Sequence, residues 1–227
     1  MTTPRARLAV LASGSGSNLQ AIRDDLVARG DAARVELALV VSDRRAAGAL
    51  DRARGWNVPA LHLPREQDAT LDGRLAEHGI TLVALAGYLR LVPAGVVQRF
   101  HGRMLNVHPA LLPAFGGPGM YGRHVHEAVI AAGARISGPT VHFVSAQYDE
   151  GAIIAQWPVP VQPDDSADTL AARVLAAEHR LYPWCVHAVA AGEISLGADG
   201  RVHGSIPFDF ARFAAVPGER HPFNTTA

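Results

Sequence analysis

Leu8-Ala9-Val10-Leu11-Ala12-Ser13-Gly14-Ser15-Gly16-Ser17-Asn18 carries the chain's first apolar run into a turn rich in glycine and serine. Five consecutive apolar residues suit a strand buried on both faces. The glycines then let the backbone turn tightly, and residues 18–29 read as a helix. The same alternation continues. Strands are expected at 35–41, near 60–63, at 82–86 and at 104–107. Helices are expected at 46–54, near 71–78, and from a first turn containing Pro93 to about Phe100. Alternating strands and helices of this kind predict an α/β fold, an open, mostly parallel twisted sheet flanked by helices.

Beyond residue 108 the chain changes character. Residues 109–122 hold three prolines and four glycines, which predicts a long irregular loop of the functional or mobile kind. A helix is expected at 124–132, and strands at 137–144 and 152–161. Asp168 reads as the cap of a helix over 169–190, with Gly192 as its stop signal. A hairpin is expected around Asp199-Gly200. One domain over 1–195, with a hairpin and irregular tail over 196–227, accounts for the pattern. Phe208, Phe210 and Phe213 in that tail are available to pack on the body or on a partner chain.

Composition narrows the function. Hydrophobic residues make up 48% and charged residues 19% of the 227 residues, a balance of soluble globular proteins. Acidic and basic residues cancel at 21 each, so no basic field recommends a nucleic-acid partner. All 21 basic residues are arginine. A Walker-type phosphate loop and a Schiff-base mechanism both require lysine, so both are excluded. The single cysteine, Cys185, sits in the apolar run Trp184-Cys185-Val186 and reads as a buried, inert thiol. Neither a signal peptide nor a run of about 20 apolar residues is present, so a cytoplasmic protein is expected.

The loop Ser13-Gly14-Ser15-Gly16-Ser17-Asn18 offers free amides at a helix start together with hydroxyl and amide side chains, which suits a phosphate. A dinucleotide site and a plain tight turn remain alternatives. The dinucleotide fingerprint wants a third glycine where Leu19 stands, although Asp43 closes the second strand as a ribose-binding acid would. In this reading Ser17 or Asn18 also caps the helix.

Asn106-Val107-His108-Pro109 ends a buried strand, where open parallel sheets place their ligands. Asn106 and His108 are two apart and project to one side of an extended chain, and Pro109 favours that extension. An amide and an imidazole side by side form a usable acyl-transfer pair: the amide donates to a developing oxyanion and the imidazole handles a proton. Asp149 follows the strand Thr140-Val141-His142-Phe143-Val144 and is placed to orient His108 if those strands are neighbours. Residue chemistry alone keeps a structural, hydrogen-bonded His108 as the default. His124-Val125-His126 suggests zinc, but residues i and i+2 on a helix do not share a face, so no metal is expected. The nucleophile elbow of serine hydrolases is missing.

Asn106-Val107-His108-Pro109-Ala110-Leu111-Leu112-Pro113, with Asp149 after Val-His-Phe-Val, resembles the signature of the folate-dependent formyltransferases. The glycine loop and Met120-Tyr121-Gly122 narrow the resemblance to the phosphoribosylglycinamide formyltransferase family, over residues 8–193. The resemblance implies transfer of a formyl group from the co-substrate 10-formyltetrahydrofolate to the amine of a phosphoribosyl substrate, with Asn106, His108 and Asp149 at the reacting centre and no metal. It implies that Gly16, Ser17 and Asn18 bind the phosphoribosyl substrate and that Glu178 holds its ribose hydroxyls. Folate contacts are implied at Leu89, Arg90, Leu91, Val92, Asn106, Val144, Ser145 and Asp149, and at Arg65, where spacing drifts. His142 is expected to be structural or a secondary contact. Phe115-Gly116-Gly117-Pro118-Gly119 is longer than the family pattern, which leaves that loop's conformation open. Other members of the superfamily fit less well: a methionyl-tRNA formyltransferase calls for a basic carboxyl-terminal domain, and a formyltetrahydrofolate hydrolase for an amino-terminal regulatory domain. A sugar-nucleotide formyltransferase is opposed only by the glycine loop and Glu178, and a non-enzymatic binding module by the presence of all three reacting residue types. Oligomeric state, a homodimer included, is left open.

Overall fold

The computed structural model describes residues 5–204. In chain order the strands and helices are β1 (Ala6–Leu11), α1 (Ser17–Arg29), β2 (Val35–Ser42), α2 (Gly48–Gly55), β3 (Ala60–His62), α3 (Leu71–Glu77), β4 (Leu82–Leu85), α4 (Ala94–Arg99), β5 (Met104–His108), α5 (Arg123–Ala131), β6 (Ile136–Ser137), β7 (Thr140–Phe143), β8 (Ile153–Gln156), β9 (Val159–Pro160), α6 (Ala167–Ala190), β10 (Ser195–Leu196) and β11 (Val202–His203). Seven strands form one sheet in the order β3-β2-β1-β4-β5-β7-β8. The first five are parallel, while β7 and β8 join antiparallel, so the expected mostly parallel sheet is what forms.

The apolar runs are explained by two cores. On β1, Leu8 and Val10 belong to the core covered by α1, α2, α5 and α6, whereas Ala9 and Leu11 belong to the core covered by α3 and α4. β4 divides in the same way, with Leu82 and Ala84 on one side and Val83 and Leu85 on the other. Because successive side chains point to opposite faces, a strand covered on both faces must be apolar at every position.

Strand order reverses between β1 and β4, and the loops leaving their carboxyl ends diverge to open a crevice. Ser13, 3% exposed, ties that end together. Its hydroxyl donates to Asp43 at 2.6 Å and accepts from the Leu89 backbone N–H at 3.1 Å, joining the loops after β2 and β4 to its own. Asp43 thus has a structural partner where the dinucleotide reading gave it a ribose.

Several boundaries differ from expectation. The strands expected at 137–144 and 152–161 are each broken, giving β6 and β9 as a separate two-stranded ladder. Pro139 and Pro158 lack the N–H a continuous ladder needs. Gly138 also lies so close to the Trp157 carbonyl that a Cβ would sit 1.8 Å from its oxygen. Pro93 stands just before α4 as its cap residue rather than inside its first turn. The long helix begins earlier than expected and is capped by Ser166, not Asp168. Ser166 Oγ accepts from the Thr169 N–H at 3.2 Å while Thr169 Oγ1 accepts from the Ser166 N–H at 3.0 Å, a closed capping box. Asp168 instead receives Arg123, whose Nη1 lies 2.7 and 2.8 Å from its two oxygens and links the starts of α5 and α6. The hairpin at 199–200 forms as β10 and β11. Phe208, Phe210 and Phe213 lie outside the described residues. Cys185 is fully buried, and burial pushes its thiol well above the usual range. Among the described residues no helix is long and apolar enough to cross a membrane.

Helix α6 is locked to the sheet by Tyr182, whose fully buried hydroxyl lies 2.9 Å from the Leu85 carbonyl and 3.1 Å from that of Leu105. These carbonyls end β4 and lie inside β5, so one phenol stitches the two strands that carry the crevice floor. Tyr182→Phe keeps the ring and removes this tie. It is expected to lower the free energy of unfolding by about 1 kcal/mol, read as a shift of the urea midpoint at constant slope.

Candidate active site

One cleft of about 540 Å³ runs along the carboxyl ends of β1, β4 and β5. Its walls include Asn18 and Glu178 at one place, Asn106, His108, His142 and Asp149 at another, and the segments 87–92 and 117–123.

The centre is set by the pairing of β5 with β7. Asn106 stands directly opposite His142 in this antiparallel ladder, and His108 opposite Thr140. Side chains of directly opposed residues are neighbours on one face of a sheet. Asn106 Nδ2 lies 3.1 Å from His142 Nε2, and His142 Nδ1 lies 2.9 Å from the Phe143 carbonyl. The Phe143 carbonyl faces Nδ1, while Nε2 faces both Asn106 and the Asp149 carboxylate, at 3.7 Å from its Oδ1. The second Asn106 N–H is held only loosely, by Asp149 Oδ1 at 3.5 Å. It is the hydrogen free to turn towards a ligand.

His108 is 4% exposed and has an acceptor at each ring nitrogen. Nε2 meets the Phe115 carbonyl at 2.8 Å, and Nδ1 lies 3.4 Å from Asp149 Oδ2. Burial lowers the His108 pKa below the ordinary imidazole value, opposed by the Asp149 charge and the Phe115 carbonyl and assisted by His142. For Asp149 burial acts upward, but the neighbouring His142 and His108 and the Gly117 N–H outweigh it and hold the carboxyl below the usual carboxylate range. The Gly117 N–H donates to Asp149 Oδ2 at 2.9 Å.

Two non-glycine residues adopt left-handed backbone at this point, Phe115 at φ 56° and Asp149 at φ 57°. Both serve His108, one with its carbonyl and one with its carboxylate. Such conformations are uncommon and persist where surrounding structure enforces them. Two residues beyond Asp149, Gly151 packs so closely that a Cβ there would lie 1.6 Å from the Phe143 carbonyl oxygen. The long loop therefore has a definite job: the run Phe115-Gly116-Gly117 wraps His108 and Asp149 with main-chain groups.

At the other place, Asn18 Nδ2 donates to Glu178 Oε2 at 2.6 Å, while Asn18 Oδ1 is buried without a partner. Glu178 is 7% exposed. Burial raises its pKa from 4.5 to about 7, with the Asn18 hydrogen bond pulling weakly the other way. Asn18 does not cap α1. The residue before the helix is Gly16, left-handed at φ 77° and making no side-chain cap, and no acidic residue occupies the first turn. The first-turn amides of α1 are therefore disposed towards an anion from outside. Gly16 is also pressed on α2, since a Cβ there would lie 2.8 Å from Ala49 Cα. Ser17 borders a second, shallower groove with Gln20 and Arg52, and Arg52 Nε donates to the Ser15 carbonyl at 2.9 Å.

Leu89, Arg90, Leu91, Val92, Val144 and Ser145 all line the main cleft, with Leu89, Leu91, Tyr121 and Tyr148 as exposed apolar rim. Arg65 does not join them. It lies exposed on the 3-10 turn Arg65–Thr70, whereas Arg90 does line the cleft, pairs with Asp68 and reaches the Leu63 carbonyl at 3.3 Å. Ser13, Phe115 and Gly117 contribute a hidden hydroxyl and two main-chain groups, which residue type does not announce. His142 faces Asn106 directly, a relation that only strand register reveals.

A family model described as formyl transferase matches residues 6–186. The chain is 43% identical over 207 residues to the chloroplastic phosphoribosylglycinamide formyltransferase of Arabidopsis thaliana, covering 86% of this chain and 69% of that protein. It is 39% identical over 205 residues to the human trifunctional purine biosynthetic protein adenosine-3, covering 87% of this chain but 20% of that one. The crystal structure of glycinamide ribonucleotide transformylase 1 from Symbiobacterium toebii superposes with a TM-score of 0.80 at 42% identity, covering 89% of this chain and 95% of that chain. The chain belongs to the phosphoribosylglycinamide formyltransferase branch of the formyl transferase family.

In this formyltransferase the state of Glu178 has a consequence for stability. Its pKa is raised in the folded protein, so the folded state holds the proton more tightly than the unfolded chain. The contribution is fully present below the unfolded pKa of about 4.5 and is lost as pH rises through about 7. Glu178→Gln keeps an acceptor for Asn18 and cannot ionise. Unfolding of the ligand-free protein in urea should show little difference between variant and wild type near pH 4. The variant should gain on the order of 3 kcal/mol by pH 8.

Proposed function

We propose that this chain transfers the formyl group of 10-formyltetrahydrofolate to the amine of 5-phosphoribosylglycinamide, giving formylglycinamide ribonucleotide, a step of de novo purine biosynthesis carried out in the cytoplasm. The observation that carries the proposal is the single cleft in which the Asn18–Glu178 pair and the Asn106, His108, His142, Asp149 cluster share one space. A ligand with a phosphoribosyl end and a reactive amine would reach from the glycine loop to the cluster.

The phosphate suits the uncapped amides of α1 at Gly16, Ser17 and Asn18, and the ribose hydroxyls suit Glu178. The folate brings a formyl group on an amine nitrogen that can leave. The chain's apolar cleft wall, with Leu89, Leu91, Val92 and Val144 alongside polar main chain, fits a flat heteroaromatic ring, and Arg90 and Ser145 supply polar contacts beside it. The reaction needs no metal.

As the substrate amine adds to the formyl carbon, negative charge grows on the formyl oxygen. Asn106 offers its loosely held N–H to that charge. Burial lowers the His108 pKa, and a negative charge forming beside the ring raises its affinity for a proton, with Asp149 and the Phe115 carbonyl already placed to stabilise the cation. The amine gives up one proton, through ordered water, to the Asp149 carboxylate as the new C–N bond forms. Asp149 passes that proton on to the folate nitrogen as the old C–N bond breaks. One bond is made, one is broken, and the proton count is unchanged.

An assay supplying phosphoribosylglycinamide and formylated folate, with the formylated nucleotide followed directly, tests this reading. Folate consumption without that product would point to a hydrolase instead. Asn106→Ala should lower kcat by about a hundredfold to a thousandfold while the protein remains folded. Near-normal turnover in that variant sinks the assignment of Asn106.

A further inference from the structure

His126 takes no part in the chemistry described so far, yet it lines the same cleft. It is 4% exposed, and its Nδ1 is closed to solvent with no hydrogen-bond partner. A buried polar atom left without a partner costs free energy that an apolar side chain of the same shape would not. The position explains why the cost is borne. His126 lies in the first turn of α5, near His108, and α5 packs against α6, which carries Glu178 on the cleft wall. His126 therefore shares one cleft wall with the cluster at Asn106 and His108 and with the pair at Asn18 and Glu178.

We infer that His126 is a contact residue for the acceptor substrate, hydrogen-bonding the carboxamide that separates its ribose from its amine. The inference rests on the function proposed above, in which Glu178 takes the ribose and Asn106 with His108 faces the amine. What lies between those two ends of phosphoribosylglycinamide is a single amide group, with one N–H and one carbonyl. Burial, and then the nearby His108, lower the His126 pKa and favour the neutral ring. A neutral imidazole has one donor and one acceptor, which matches the carbonyl and the N–H of a carboxamide. His124, the other histidine of the pair, lies on the outside of α5 against Glu127 at 3.3 Å and is exposed. The two histidines thus have different employments.

The test is steady-state formylation with KM for each substrate taken separately, alongside thermal melting. His126→Leu removes both nitrogens at nearly constant volume. It should raise KM for phosphoribosylglycinamide about tenfold, leave KM for the folate within about twofold, and leave the melting temperature equal or higher. His126→Asn or His126→Gln, which restores a polar atom near Nδ1 or Nε2 respectively, should recover part of the acceptor affinity. An unchanged acceptor KM in His126→Leu overturns the inference. So does a lowered melting temperature with both KM values rising together, which would mark a structural histidine. Absence of formylated product from the unaltered protein would instead count against the proposed function.

Discussion

The antiparallel pairing of β7 against β5 is the constraint on which the site depends. Five parallel strands bring the glycine loop and the 87–92 segment to one end of the sheet, as any fold of this class would. The sixth position in the sheet is taken by a strand running the other way, so it enters beside His108 and leaves beside Leu105. That register sets His142 opposite Asn106. The 144–151 turn then doubles back from the strand's exit to bring Asp149 against His108.

Around this pairing the structure accepts local costs where they contribute to the site. Phe115 and Asp149 sit in left-handed backbone, Glu178 is buried beside one amide, and Asn18 Oδ1 and His126 Nδ1 have no partner in the described residues. All five line the cleft or touch a residue that does. Beneath the cleft the chain has apolar strands between two cores, a closed capping box on α6, and a phenol tying α6 to β4 and β5. Packed support beneath a largely apolar cleft with a few incompletely satisfied polar groups is the arrangement expected of a binding site that is completed by its ligand.

The electrostatics follow from the same contrast. His108 and Asp149 are both buried, yet they respond differently. Asp149 has two histidines and a main-chain N–H to hold its charge, whereas His108 must share one carboxylate with His142. The carboxylate is thus ready as an anion before substrate arrives, while the imidazole is poised to become a cation when negative charge appears beside it.

Much of this was legible in the residues alone. Alternation of apolar runs with helical patterns was enough for the mostly parallel sheet, because strands covered on both faces leave no room for polar residues. The pairing of Asn106 with His108 followed from their spacing of two, and the exclusion of lysine chemistry from a count of residues. Register, main-chain partners and caps were not legible, since each depends on which distant segments meet. Ser166 took the cap from Asp168 because Thr169 closes the box. Prolines at 139 and 158 broke two expected strands. Arg65 stayed outside a cleft that Arg90 borders. Sequence by itself determined which chemical groups the protein owns and which segments are strand or helix, because those are set by composition and local periodicity. Only the tertiary structure decided that Asn106, His108, His142 and Asp149 share one site with Glu178, because contact across a sheet is fixed by strand order and direction, which no local pattern records.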